Sequence, residues 1–240
     1  MRALIPSYDG NADLASAFAF SRDSCVRAVF VSSVDGAATL GGRAGGLGNK
    51  TDQRLFSLQR SLGDVVLVGA GTVRVEGYGP VEVDPEWSHV RGNRSPTPPI
   101  AVVSADLGLD PKALLFTDAP EYARTIVITS AAAPPDRREA LSAVAEVVIA
   151  GDDIVDLSVA IEMLAARGLR RVTCEGGPTL MAALAASEQV DELCLTLSPM
   201  LVGGDAPRIT DGPPVSDAPE MRLATLLEED GYLFMLYQKS

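Results

Sequence analysis

The stretch Val65-Val66-Leu67-Val68-Gly69-Ala70-Gly71-Thr72-Val73-Arg74 decides how the rest of the chain is read. An apolar run rich in valine enters a glycine-rich turn. Such a run fits a strand covered on both faces. Glycine lets backbone N–H groups approach an anion, and a helix starting there adds partial positive charge. The stretch begins like a dinucleotide-binding fingerprint, but Arg74 stands where the third glycine of G-x-G-x-x-G belongs. That fingerprint also belongs after the first strand of its unit, with an acidic residue ~20 positions on. Here another strand-like run, Val26 to Val31, comes first, and no convincing acidic residue follows.

A second stretch, Val172-Thr173-Cys174-Glu175-Gly176-Gly177-Pro178-Thr179-Leu180, repeats the construction. Its strand also ends in glycines, and Pro178 is placed to open a helix through Ala186. One helix N-terminus favours an anion by about 0.3–1 kcal/mol. Two converging on one pyrophosphate can hold it with few cationic side chains. That economy suits a chain of 240 residues with a net charge of −12.

Working outward, apolar strand-like runs recur at Ile100 to Val103, Ile126 to Ile128, Val147 to Ile149 and Arg171 to Cys174. Helical spacing separates several of them. Asp52 to Leu62 puts Leu55, Leu58 and Leu62 on one face, with Thr51 as the expected N-cap. Pro134-Pro135 opens a helix through Val144, and Leu157, Ile161 and Leu164 mark another that Gly168 closes. Pro80 to Pro99 is polar and proline-rich and reads as a long surface loop. Late in the chain the pattern changes. In Glu192 to Ser198, Leu193, Leu195 and Leu197 alternate with Glu192, Cys194 and Thr196, as in a strand with one wetter face. Tyr232 to Tyr237 reads as a strand too. Alternation of strand and helix followed by strands alone predicts a mostly parallel sheet, helices on both faces, and antiparallel strands at the end.

Composition excludes several classes. The acidic surface repels nucleic-acid phosphates, so no nucleic-acid partner is expected. No apolar run approaches the ~18 residues of a membrane span, and the N-terminus lacks the order of a signal peptide, so a cytoplasmic protein is expected. The single histidine, His89, sits in a polar, proline-flanked stretch and reads as a solvated loop residue. Its solitude excludes H-E-x-x-H zinc chemistry and the zinc site of nucleobase deaminases, and no metal is expected. Cys25, Cys174 and Cys194 form no disulfide framework or metal knuckle and read as buried thiols.

Two further stretches bear on chemistry. Ser32-Ser33-Val34-Asp35-Gly36 ends the first strand in a turn. The glycine-rich loop Gly41 to Gly48 is either mobile or lies close to a ligand, and it leads to Asp52 in the first turn of a helix. That carboxylate either stabilises the helix dipole or faces a substrate.

Taken in order, these stretches resemble the RibD C-terminal reductase family of riboflavin biosynthesis. The elements that carry the resemblance are Ser33-Val34-Asp35-Gly36, the loop through Gly48, Arg60, Gly69-Ala70-Gly71-Thr72-Val73, Glu175-Gly176-Gly177-Pro178-Thr179-Leu180 and Val190-Asp191-Glu192-Leu193. The match spans roughly Val26 to Gly204, without the deaminase domain that often precedes this one. The resemblance implies a single domain over 1–240, a three-layer α/β/α fold like that of dihydrofolate reductase, a mixed, mostly parallel sheet and antiparallel C-terminal strands. It implies NADPH as cofactor, hydride transfer to a small-molecule pyrimidine or pteridine, and a homodimer. Gly69, Ala70, Gly71 and Thr72 would flank the cofactor pyrophosphate together with Gly176, Gly177, Pro178, Thr179 and Leu180. The Gly176-Gly177 bond would be cis. Val31, Glu76 and Ser104 match further cofactor positions.

Arg60 and Glu175 match substrate positions, and Lys50, Arg54 and Arg60 are available for a phosphate or for the carboxylate tail of a pterin. Asp52 lies about where dihydrofolate reductase keeps its carboxylate. It is the expected catalytic group, with Glu175 second, while Asp35 is expected to hold the turn beneath the site. After G-x-G-T-V the family typically has Asp-Asn-Pro or Asp-Asp-Pro, where this chain has Glu76-Gly77-Tyr78-Gly79-Pro80. The expected substrate is 5-amino-6-ribosylamino-uracil 5′-phosphate. Dihydrofolate or another pterin, and a nucleotide-binding module without turnover, stay open as alternatives.

Overall fold

The computed structural model describes residues 1–5, 13–215 and 218–240. The strands are β1 (Arg2–Ile5), β2 (Cys25–Ser33), β3 (Val65–Gly69), β4 (Ile100–Val103), β5 (Ile126–Thr129), β6 (Glu146–Ile149), β7 (Arg171–Cys174), β8 (Glu192–Ser198), β9 (Met221–Glu229) and β10 (Tyr232–Lys239). The helices are α1 (Leu14–Ala17), α2 (Lys50–Leu62), α3 (Ala70–Glu76), α4 (Leu114–Thr117), α5 (Pro135–Ser142), α6 (Leu157–Ala166) and α7 (Pro178–Ala186). The strands form one ten-stranded sheet in the order β1-β9-β10-β8-β2-β7-β3-β4-β5-β6. Pairing is parallel from β8 through β6 and antiparallel among β8, β10, β9 and β1.

The valine run of β3 shows why the sheet has two covered faces. Val65 and Leu67 pack with α6 and α7, against Leu157, Leu164, Leu180 and Leu184. Val66 and Val68 point the other way, toward Val73 of α3 and Leu141 of α5. All four residues are buried. A strand buried on both sides needs an unbroken apolar run, and β3 has one.

The structure corrects several expectations. The N-cap of α2 is Asn49, whose side chain accepts from the Asp52 amide at 2.8 Å, while Thr51 lies inside the helix and bonds Glu229. An Asn three residues before the amide it caps has the reach that Thr51 lacks. The segment 80–99 is not a plain loop. Pro85–Arg91 forms a 3₁₀ helix that buries Trp87 beside Leu55 and Leu58 of α2. Its Arg91, with Arg94, donates to the terminal carbonyls of α2 at Ser61 and Gly63. Two cations thus complete a helix C-terminus.

The structure also shows which face of β8 is the covered one. Glu192, Cys194, Thr196 and Ser198 are its buried set, whereas Leu193, Leu195 and Leu197 are only half-buried. Helices α1 and α2 cover the first side, where Phe18 and Leu58 meet Cys194, Phe234 and Leu236. The leucines belong to none of the core groups. Glu192 tolerates burial because Arg27 of β2, itself fully buried, pairs with it through Nε at 2.8 Å. Burial works to raise the Glu192 carboxyl, but the attraction of Arg27 and the Ser21 amide hold it below its ordinary value.

Candidate active site

The parallel strands end at a cavity of about 880 Å³. Its walls come from segments that follow β3, β4 and β7, from β2 and β8, and from the inner face of α2. Ligands of open parallel sheets gather beyond the carboxyl ends of the strands, where loops and helix N-termini converge. This volume is at the upper end for a small-molecule site and suits two ligands meeting.

One wall is built of backbone. α3 starts after Gly69 and α7 after Gly177, and neither N-terminus is capped by a side chain. Their first amides therefore lack helical partners. The two turns are tied together, since the Gly69 amide donates to the Gly176 carbonyl at 2.7 Å. The Gly176-Gly177 peptide is cis. A Cβ on Gly177 would stand 2.6 Å from Thr72 Oγ1, so only glycine allows this approach. Gly69, Ala70, Gly71, Thr72, Gly177, Pro178, Thr179 and Leu180 line the cavity, and Gly176 lies behind, over the Phe30 ring. Val31 and Ser104 line it as well. Glu76 reaches it from the end of α3, accepting from Ala44 of the glycine-rich loop at 3.4 Å. These features suit a dinucleotide: bare helix N-termini for its pyrophosphate and an open, largely backbone wall.

The facing wall carries the charged side chains. Asp52, in the first turn of α2, is half-buried against Thr196. Burial pushes its carboxyl above the ordinary value, against a smaller downward pull from the Thr196 hydroxyl. Its Oδ2 packs against Gly48, where any Cβ would collide with it. The last glycine of the glycine-rich loop is thus needed to seat this carboxylate.

Arg60 and Glu175 meet each other. Arg60 Nε and Nη2 donate to the two Glu175 oxygens, each at 2.7 Å, and Tyr78 Oη donates to Oε2 at 2.7 Å. The guanidinium also lies over the Phe56 ring, 4.5 Å from its centroid. Burial opposes charge on Arg60, but the Glu175 carboxylate outweighs it and holds the guanidinium protonated. Burial and the same carboxylate push the Tyr78 phenol up. With both oxygens engaged, Glu175 is a holder of Arg60. Glu76 and Asp106 also line the cavity, and Asp52 is the lining carboxyl whose burial raises its proton affinity.

Lys50 and Arg54 are not among the residues that line the cavity. Arg54 turns outward to Glu86 and the Trp87 ring. It is spaced two residues from Asp52, which places it on another side of α2. Asp35 accepts from the Ser33 hydroxyl and from the Gly203 amide at 2.6 Å, which holds its carboxyl down to about 2. It ties the turn after β2 to the loop after β8.

Tyr78 escaped the sequence reading. Gly77 ends α3 in the left-handed region at φ +69, and that turn sends Tyr78 back over the cavity. Phe56 and Gln59 escaped it as well. Their spacing from Asp52, four and seven residues, was the available signal.

Residues 24–231 match the family described as RibD C-terminal domain. A relative from Archaeoglobus fulgidus, named 2,5-diamino-6-ribosylamino-4(3H)-pyrimidinone 5′-phosphate reductase, is 32% identical over 164 residues, covering 67% of this chain and 74% of its own. The crystal structure of a pyrimidine reductase-like protein from Corynebacterium diphtheriae superposes with a TM-score of 0.81 at 30% identity, over 90% of this chain and 92% of that one. Dihydrofolate reductase from Enterococcus faecalis shares the fold at a TM-score of 0.52 and 11% identity, over 90% of this chain and 96% of that one.

Proposed function

As this chain belongs to the RibD C-terminal domain family, we propose that it is a reductase of riboflavin biosynthesis. It uses a reduced nicotinamide dinucleotide to reduce a ribosylaminopyrimidine 5′-phosphate to its ribityl form. The observation that carries this reading is one cavity with two kinds of wall. Uncapped helix N-termini at Gly69 and Gly177 suit a pyrophosphate, and a half-buried acid, Asp52, stands opposite.

A bound reduced nicotinamide would supply a hydride to C1′ of the open-chain imine. Asp52 holds the proton that the imine nitrogen takes as the C=N bond becomes C–N, and its raised proton affinity suits that task. Arg60, paired with Glu175 and fixed in direction by it and Tyr78, turns its remaining guanidinium N–H groups to the substrate phosphate. Apolar walls at Val29, Phe56 and Leu180 exclude water around the reacting carbon. The leading substrates are 5-amino-6-ribosylamino-uracil 5′-phosphate and the 2-amino counterpart named for the Archaeoglobus fulgidus relative.

NADPH is the proposed form of the cofactor. Arg74 donates to the Gly108 carbonyl and Arg137 to the Asp106 carbonyl, each at 2.9 Å, so both cations flank the loop after Ser104. That charge suits a phosphorylated ribose, although the Asp106 carboxylate in the same loop opposes it. A homodimer is proposed through the half-buried leucine face of β8, Leu193, Leu195 and Leu197. No helix among the described residues is long and apolar enough to cross a membrane.

The test is nicotinamide oxidation with each pyrimidine phosphate and with dihydrofolate, using NADPH and NADH. Turnover with a pyrimidine phosphate, and tighter binding of NADPH than of NADH, is expected. NADPH binding with no oxidation by either pyrimidine would sink the reading.

A further inference from the structure

The inner face of α2 carries a polar residue that the reaction outlined above does not use. Gln59 is fully buried, lines the cavity and lies two turns beyond Asp52 on the same helix. Asp52 lies by Thr196 and Gln59 by Arg27, nearer the starts of β8 and β2, so Gln59 stands farther from the carboxyl ends of these strands than Asp52 does. Its Oε1 accepts from Arg27 Nη1 at 2.7 Å. Its Nε2 has no hydrogen-bond partner among the described residues. A buried amide donor left unpaired is costly, and such groups usually find an acceptor.

The orientation of this amide is fixed from outside the cavity. Arg27 carries only donors, so it takes the oxygen of Gln59 and turns the nitrogen away. Arg27 cannot itself shift. Its Nε donates to Glu192 at 2.8 Å, Nη1 to the Phe18 carbonyl at 2.6 Å and Nη2 to the Ala19 carbonyl at 3.0 Å. Its guanidinium also lies 4.0 Å from the centroid of the Phe20 ring. An unconstrained glutamine presents either end to a ligand, whereas this one presents a donor alone.

We propose that Gln59 is a specificity-determining residue whose Nε2 donates to the exocyclic carbonyl oxygen at C4 of the pyrimidine ring, the oxo group that both candidate substrates carry, with Arg27 and Glu192 as its positioning pair. The subsite takes an oxo group and refuses an amino group at the same place, because Nε2 has nothing to accept with. This inference rests on the proposed pyrimidine reductase reading. It adds which part of the substrate meets the inner end of α2, and by what chemistry.

Two substitutions test it. Gln59→Met keeps the length and removes the donor, and Arg27 Nη1 keeps the Phe18 carbonyl. Gln59→Glu keeps an oxygen for Arg27 and replaces the donor by an acceptor. Steady-state kinetics with both pyrimidine phosphates should show KM raised roughly 10–100-fold in each variant, the range expected for one buried hydrogen bond lost. kcat should change less, and the NADPH Kd measured by fluorescence should match wild type, which also reports that the variants are folded. A variant that binds NADPH normally and keeps wild-type KM for both pyrimidines overturns the assignment and leaves Gln59 as a support for Arg27 only. Wild-type enzyme that binds NADPH but oxidises it with neither pyrimidine overturns the parent reading, and this inference falls with it.

Discussion

Replacing Glu175 by Gln is expected to weaken the fold and the cavity wall together. The substitution keeps the shape of the side chain, so no cavity opens and the change is electrostatic. Glu175 is 1% exposed and receives both donors of Arg60, which is 21% exposed. Removing one partner of a buried pair costs about 3–5 kcal/mol. Arg60 keeps some solvent, which screens it, so the lower end applies, about 3 kcal/mol. In a chain of this size that corresponds to a fall in Tm of about 6–12 °C.

Urea unfolding at neutral pH, with an unchanged m-value, measures the loss directly. Tyr78→Phe removes a single hydrogen bond to the same carboxylate and should cost about 1.5 kcal/mol. Both donors converge on one group, so the double variant should lose less than the two single losses added. A Glu175→Gln protein within about 1 kcal/mol of wild type, or strict additivity with Tyr78→Phe, would refute the picture of one coupled unit.

Further outcomes are expected at three positions. Asp52 keeps its proton above the ordinary carboxyl range, so kcat/KM should fall as pH rises through that raised value, and Asp52→Asn should flatten this limb and lower kcat about 10²–10⁴-fold. The same shift has a sign for stability. A carboxyl raised in the folded state loses stability as pH climbs from about 3.9 through the raised value, so Asp52→Asn should melt higher than wild type at neutral pH. Gly48→Ala should displace the Asp52 carboxylate and reduce kcat with little change in NADPH affinity, read from kinetics and fluorescence titration. Gly177→Ala should do the reverse. Its Cβ would crowd Thr72 Oγ1 at 2.6 Å and weaken NADPH binding roughly tenfold, about 1.4 kcal/mol, while Asp52 stays in place.

Local chemistry made much of this protein legible before folding. The run Val65 to Val68 is apolar on every residue because both faces of β3 are covered, and such a run is readable without a partner in view. Pro178 opens α7 where its ring fixes φ and no donor is lost, and the observed helix spans Pro178–Ala186 as expected. Gly69 and Gly176-Gly177 stand where the backbone must turn at strand ends. These are properties of single residues and their near neighbours, and their order along the chain carried the family resemblance.

Tertiary structure decided what depends on partners distant in sequence. Alternation in β8 showed two faces but not which one is covered. The choice fell to α1 and α2, and a buried Arg27 made the Glu192 side the inner one. Arg60 and Glu175 each read as groups facing a substrate, yet they are 115 positions apart and spend their charges on each other. Tyr78 joined them only because Gly77 turns the chain back. The sequence determined the turns and the alternation of strand and helix, since those are local. Which polar groups stay free for a ligand is settled by who else reaches them, and that is known only once the chain has closed on itself.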